Sequence, residues 1–133
     1  VRAVGEQDFQ SWLAQKQTAA VAAAAEAASD KVWSKEDLLA RGEKVYQSTC
    51  AACHGQNGEG GGPFPALKGS PIATGPVDAH MDIVLHGKPG TAMAAFGGQL
   101  NDLELAAVIT FERNALGNST GDLVQPADVK AAR

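Results

Sequence analysis

An all-α fold is predicted for this chain of 133 residues, and two observations predict it. No stretch alternates apolar and polar residues with the two-residue period of a half-buried strand. Helical periods recur instead, two of them behind residue sets that cap a helix N-terminus. One compact domain plus an extension is what this length allows, and no internal repeat is visible. The formal net charge of -4 argues against a nucleic-acid partner.

The elements follow in chain order. Val4-Gly5-Glu6-Gln7-Asp8-Phe9-Gln10-Ser11-Trp12-Leu13 reads as a short strand end leading into a helix with Phe9, Trp12, Leu13 and Lys16 on one side. The run from Ala19 to Ala28 has high helix propensity but almost no large apolar groups, so it reads as a helical spacer. Ser34 is the expected N-cap of the next helix, with Lys35, Glu36 and Asp37 in its first turn and Trp33 and Leu38 as its staple. That helix is expected to run to about Thr49, with Leu38, Gly42, Val45, Tyr46 and Thr49 on one face. Gly42 costs about 1 kcal/mol against alanine inside a helix. Its presence points to a second backbone passing close by, with the C-terminal helix as the expected neighbour.

Cys50-Ala51-Ala52-Cys53-His54 is the pattern of covalent c-type haem attachment. Two thiols one helical turn apart can each add to a vinyl group of one porphyrin, and the adjacent histidine falls under the iron as its proximal ligand. A thioredoxin-like pair calls for a strand-rich surround. A zinc site calls for a second ligand pair, which His80 and His86 do not provide at a metal-binding spacing. The segment from Gly55 to Leu67 is too rich in glycine and proline for a regular element and reads as a loop wrapping the cofactor. It lacks the Gly-Lys-Ser/Thr ending of a phosphate loop.

A shorter helix is predicted over about Val77 to His86, ending at Gly87, and Lys88-Pro89-Gly90 then turns the chain. Met81 shares helical spacing with Val77, Val84 and Leu85 and reads as core, while His80 and His86 read as a partly solvated face. An electron carrier needs a second axial ligand, and Met/His ligation both blocks substrate access and raises the potential. Met93, in the small-residue loop Gly90 to Phe96, is the favoured ligand; Met81, His80 and His86 are the remaining candidates. The apolar envelope is expected from Phe64, Leu67, Ile72, Ile83, Val84, Phe96, Leu100, Leu105 and Ile109. Asn101 is the expected N-cap of the last long helix, Glu104 completes a capping box, Leu100 and Leu105 form its staple, and Gly117 stops it.

From about Ser34 to Gly117 these features resemble a class I cytochrome c. The resemblance implies first and last helices crossing around one covalent haem c, with Gly42 and Tyr46 set against Val108 and Phe111. It implies Cys50 and Cys53 as thioether sites, His54 and Met93 as axial ligands, and the Pro65 carbonyl as acceptor of a hydrogen bond from His54. It also implies assembly on the extracytoplasmic side of a membrane.

Asn101 to Phe111 and Gly87 to Met93 are similar to the haem c domain fused to bacterial cytochrome c oxidase subunit II, and Val4 to Leu13 resembles the end of that subunit's copper domain. This second resemblance implies three parts: 1–30 as the end of a copper domain and an alanine-rich linker, 31–117 as the cytochrome domain, and 118–133 as a C-terminal tail. The chain reads as a piece of something larger, with neither a signal peptide nor a membrane span. It would be an electron carrier and not an enzyme by itself, working at the periplasmic face of the inner membrane within a terminal oxidase complex. Electrons would pass from a donor cytochrome or membrane complex to the binuclear copper site of the same subunit, although no copper ligand set is present here. A free-standing or dehydrogenase-linked cytochrome c is the alternative. A haem sensor or peroxidase with an open iron position is the alternative of another class.

Overall fold

The computed structural model describes residues 5–28 and 31–133. Helix α1 spans Glu6–Ala28, as the first segment's pattern predicts. The expected strand end begins at Val4, which lies outside the described residues, and Gly5 is not extended into a strand. Phe9 and Trp12 stack 6.1 Å apart on the exposed surface of α1, and the helix touches the last long helix of the domain.

Helix α2 (Lys35–Val45) starts where the sequence places it: Ser34 Oγ accepts the Asp37 amide at 3.2 Å, which satisfies one of the orphan donors of the first turn. Trp33 and Leu38 are both buried beside that cap. The helix does not stop at Thr49. It passes through one π-helical turn, Tyr46–Cys50, and continues as α3 (Ala51–His54). The wider turn inserts an extra residue into the ladder, so that Tyr46 stays on the packed face while the two cysteines and His54 reach the cofactor loop.

Helix α4 (Val77–His86) ends at Gly87 as predicted. Met81 is core, 4% exposed, but His80 is not on a solvated face: it is 2% exposed and held by partners from another helix. His86 is the exposed one, paired with Asp82 one turn earlier at 2.9 Å. Helix α5 (Asp102–Asn114) carries the expected capping box of Asn101 and Glu104. It ends three residues before Gly117, because Leu116 already takes a left-handed conformation at φ 58°.

The central contact is α2 against α5. A Cβ on Gly42 would lie 2.1 Å from the Ala107 carbonyl oxygen and 2.6 Å from Phe111 Cβ. Tyr46 packs on Phe111 with ring centroids 5.6 Å apart, and its hydroxyl donates to the Gly55 carbonyl at 2.7 Å. The partner of Gly42 is therefore Ala107 with Phe111. Val108, expected in this crossing, turns instead toward the cavity described below.

Residues 118–133 fold back on the helices rather than trailing away. Helix α6 (Pro126–Ala132) buries Val129, and Val124 is buried just before it. Thr110 Oγ1 accepts the Val124 amide at 2.9 Å. The Gln125 side chain accepts the Trp33 amide at 2.8 Å and donates to the Trp33 carbonyl at 2.9 Å. Asp122 accepts from Arg113 Nη2 at 2.6 Å and Nε at 3.1 Å. Among the described residues there is no β-strand, only an isolated bridge between Gly61 and Phe64.

Two predictions follow from this packing. Gly42→Ala gains about 1 kcal/mol of helix propensity but forces a methyl into backbone, a cost of roughly 1–3 kcal/mol or more, so guanidinium denaturation should show a net loss. The Arg113 guanidinium holds the Asp122 carboxyl below the usual carboxylate range. A depressed folded pKa stabilises above the unfolded value of about 4 and is lost as pH falls through the folded one. The advantage of wild type over Asp122→Asn, measured by thermal melts, should therefore be present at neutral pH and shrink in acid.

Candidate haem-binding site

Helix α3 ends in a loop that doubles back on it. The Gly60 amide bonds the His54 carbonyl at 2.6 Å and the Leu67 amide bonds that of Gly58 at 2.8 Å, closing residues 55–67 into a ring under the cysteine motif. This loop brings the Pro65 carbonyl to 2.9 Å from His54 Nδ1. A carbonyl only accepts, so Nδ1 carries the proton and Nε2 keeps its lone pair for a metal. Such a contact fixes ring orientation and raises ligand basicity.

Cys50 is half-buried and Cys53 exposed, and both thiols are free. Burial, followed by the neighbouring Glu112 carboxylate, pushes the Cys50 thiol well above its ordinary value. Helix α4 and the segment after it supply the other wall. Gly87 takes a left-handed conformation at φ 74°, and a Cβ there would meet the Met93 carbonyl oxygen at 2.7 Å; glycine lets the methionine segment cross the end of α4. The Phe96 and Gly97 amides bond the Val84 and Leu85 carbonyls at 3.0 and 3.1 Å. Arg133 ties the same segment from α6, donating to the carbonyls of Gly97 and Leu100 and pairing with Asp102.

Together these elements enclose a cavity of about 370 Å³ lined by Cys50, Cys53, His54, Pro65 and Met93. Phe64, Leu67, Ile72, Ile83, Val84, Phe96 and Leu100 line it as expected from the sequence. Leu105 and Ile109, also expected there, are fully buried in the helix core instead. Met81, the rival methionine, is absent from the cavity wall. His80 and Glu112 do line it; neither was readable as a cavity residue, because the contact that buries them joins α4 to α5 across 32 positions. Two thiols, an imidazole with one nitrogen satisfied and a thioether sulfur on an apolar cavity are the donor set that a c-type haem requires.

Residues 37–111 match the family model described as cytochrome c oxidase, cbb3-type, subunit III. The chain belongs to this cytochrome c family. It is a mostly helical cytochrome c electron-transfer domain, and membership brings covalently bound haem c. The cytochrome is similar to a dihydro-heme d1 dehydrogenase of Pseudomonas aeruginosa, 39% identical over 72 residues, covering 54% of this chain and 14% of that protein. It is 31% identical over 103 residues to the cytochrome c subunit of alcohol dehydrogenase (quinone) from Gluconobacter oxydans, covering 69% of this chain and 22% of the relative. It is 32% identical over 128 residues to the gluconate 2-dehydrogenase cytochrome c subunit of Pantoea cypripedii, covering 80% and 29%. The chain thus spans less than a third of the length of each of these relatives. They are dehydrogenases or cytochrome subunits of dehydrogenases, not fusions to an oxidase subunit II, and the sequence reading is corrected to that extent. The similarity of short haem-domain stretches such as Asn101 to Phe111 does not distinguish which larger protein carries the domain.

Proposed function

We propose that this cytochrome is the electron-transfer module of a dehydrogenase-linked assembly on the extracytoplasmic side of a bacterial membrane. In this reading Cys50 and Cys53 hold the haem by thioether bonds, and His54 and Met93 are its axial ligands. The observation that carries the assignment is the His54–Pro65 hydrogen bond, which leaves one imidazole nitrogen free on a cavity shared with both cysteines and Met93. When bound, haem c supplies one-electron chemistry. The chain's own contribution is to keep water from the centre with an apolar wall, to fix the His54 ring through Pro65, and to hold Met93 on a segment tied to α4 and α6. The dehydrogenase partner is supported by the cytochrome subunits to which the chain is similar. None of the described helices is long and apolar enough to cross a membrane.

A second reading, the oxidase-linked one, rests on a resemblance in the sequence: residues 4–13 are similar to the end of a copper domain. There the haem would pass electrons to a binuclear copper site. Purification of the native haem protein with its bound subunits, identified by mass spectrometry, separates the two. A catalytic dehydrogenase subunit is expected; a copper-bearing oxidase subunit would replace the first reading with the second.

The ligand assignment has its own test. Met93→Ala should abolish the low-spin Met/His spectrum and open the iron to carbon monoxide, while Met81→Leu should change neither. The reverse pattern would remove Met93 from the site.

A further inference from the structure

Helix α5 buries a carboxylate for which simple axial ligation has no use. Glu112 is 4% exposed, lines the haem cavity, and has Oε2 at 2.8 Å from His80 Nε2. The other ring nitrogen, Nδ1, lies 3.4 Å from Arg113 Nη1. A guanidinium has only donors, so Nδ1 is the acceptor nitrogen and Nε2–H donates to Glu112. Protonating the imidazole would set two N–H donors against each other. Arg113 is already engaged: it pairs with Asp122 and donates to the Ala73 and Gly75 carbonyls at 3.1 and 2.6 Å. Its charge is balanced by Asp122, and the Glu112 carboxylate has the His80 imidazole as its side-chain partner on α4.

The other titratable groups around the pair are few. On the π-helical turn, Cys50 is consumed by haem attachment and the Tyr46 hydroxyl donates to Gly55. His54 and Lys88 line the same cavity, and the segment at Ala73 and Gly75 offers only carbonyls already used. A bound haem would bring its propionates as further acids. A buried carboxylate is costly without a compensating charge, and an electron arriving beside it adds a Coulomb cost that low dielectric magnifies.

We propose that Glu112, oriented by His80, takes up a proton when this cytochrome is reduced. One electron passes from the donor to the iron and one proton from solvent to the Glu112 carboxylate; oxidation returns both, and no covalent bond to carbon changes. The inference rests on haem filling the cavity as proposed above.

Spectroelectrochemical titration of the haem-loaded protein between about pH 5 and 9 tests it. At fixed ambient potential the reduced-to-oxidised ratio should fall about tenfold per pH unit over part of that range, about 59 mV for one electron. Glu112→Gln should flatten this dependence and keep the low-spin spectrum, and Glu112→Asp should retain it with the onset at a different pH. A pH-independent wild-type potential overturns the inference, as does a slope that survives in Glu112→Gln, which would assign the proton to the propionates. Should the Gln variant take up no haem, the Asp variant decides: an unmoved onset overturns the inference and a shifted one supports it. A wild-type chain that takes up no haem would overturn the cavity reading as well, an outcome distinct from a loaded protein with a flat potential.

Discussion

The close approach of α2 and α5 at Gly42 is the constraint on which the rest of this cytochrome depends. Backbone there meets backbone, with the Ala107 carbonyl occupying the space a side chain would need. That distance fixes how far α5 lies from the π-helical turn that follows α2. It therefore fixes where Cys50, Cys53 and His54 stand relative to Val108 and Glu112 on the far wall. Tyr46 and Phe111 fill the crossing one turn further on, and the Tyr46 hydroxyl carries the same restraint into the loop at Gly55.

A domain of this size has little apolar interior of its own, and polar side chains on and just after α5 do part of the work. Arg113 holds the segment at Ala73 and Gly75, and Asn118 bonds the carbonyls of Leu67 and Glu112, each at 2.9 Å. Both residues are buried, and both have partners that satisfy them. A buried polar group rigidifies its surroundings when fully paired and is costly otherwise. The loops around the haem are thus positioned by hydrogen bonds from the core rather than by regular structure of their own.

What the sequence revealed was local. Ser34 and Asn101 could be read as caps because capping chemistry acts over three residues, and the break at Gly87 because glycine suits a left-handed helix end. Gly42 could be read as a close approach, although its partner residue could not. Met81 could be read as core from its helical spacing with Val77, Val84 and Leu85. The misses are long-range. His80 faces inward because of Glu112 and Arg113, residues on another helix whose charge suggests solvent. Residues 118–133 looked like a tail because Asn118, Val124 and Gln125 find their partners only in the folded chain. The π-helical turn has no compositional mark in Tyr46-Gln47-Ser48-Thr49-Cys50.

The paired hydrogen bonds between Gln125 and the Trp33 backbone join positions 92 apart in sequence, at the point where the chain leaves α1 for the haem domain. Lys31 and Arg41 flank the Trp33 ring at 4.1 and 4.6 Å from its centroid, adding grip there. This junction has a mechanical consequence. A pull applied to the chain at Trp33 loads two hydrogen bonds together before any tension reaches α2. Tension entering at that point is borne by Gln125, and the cysteine motif further along keeps its place.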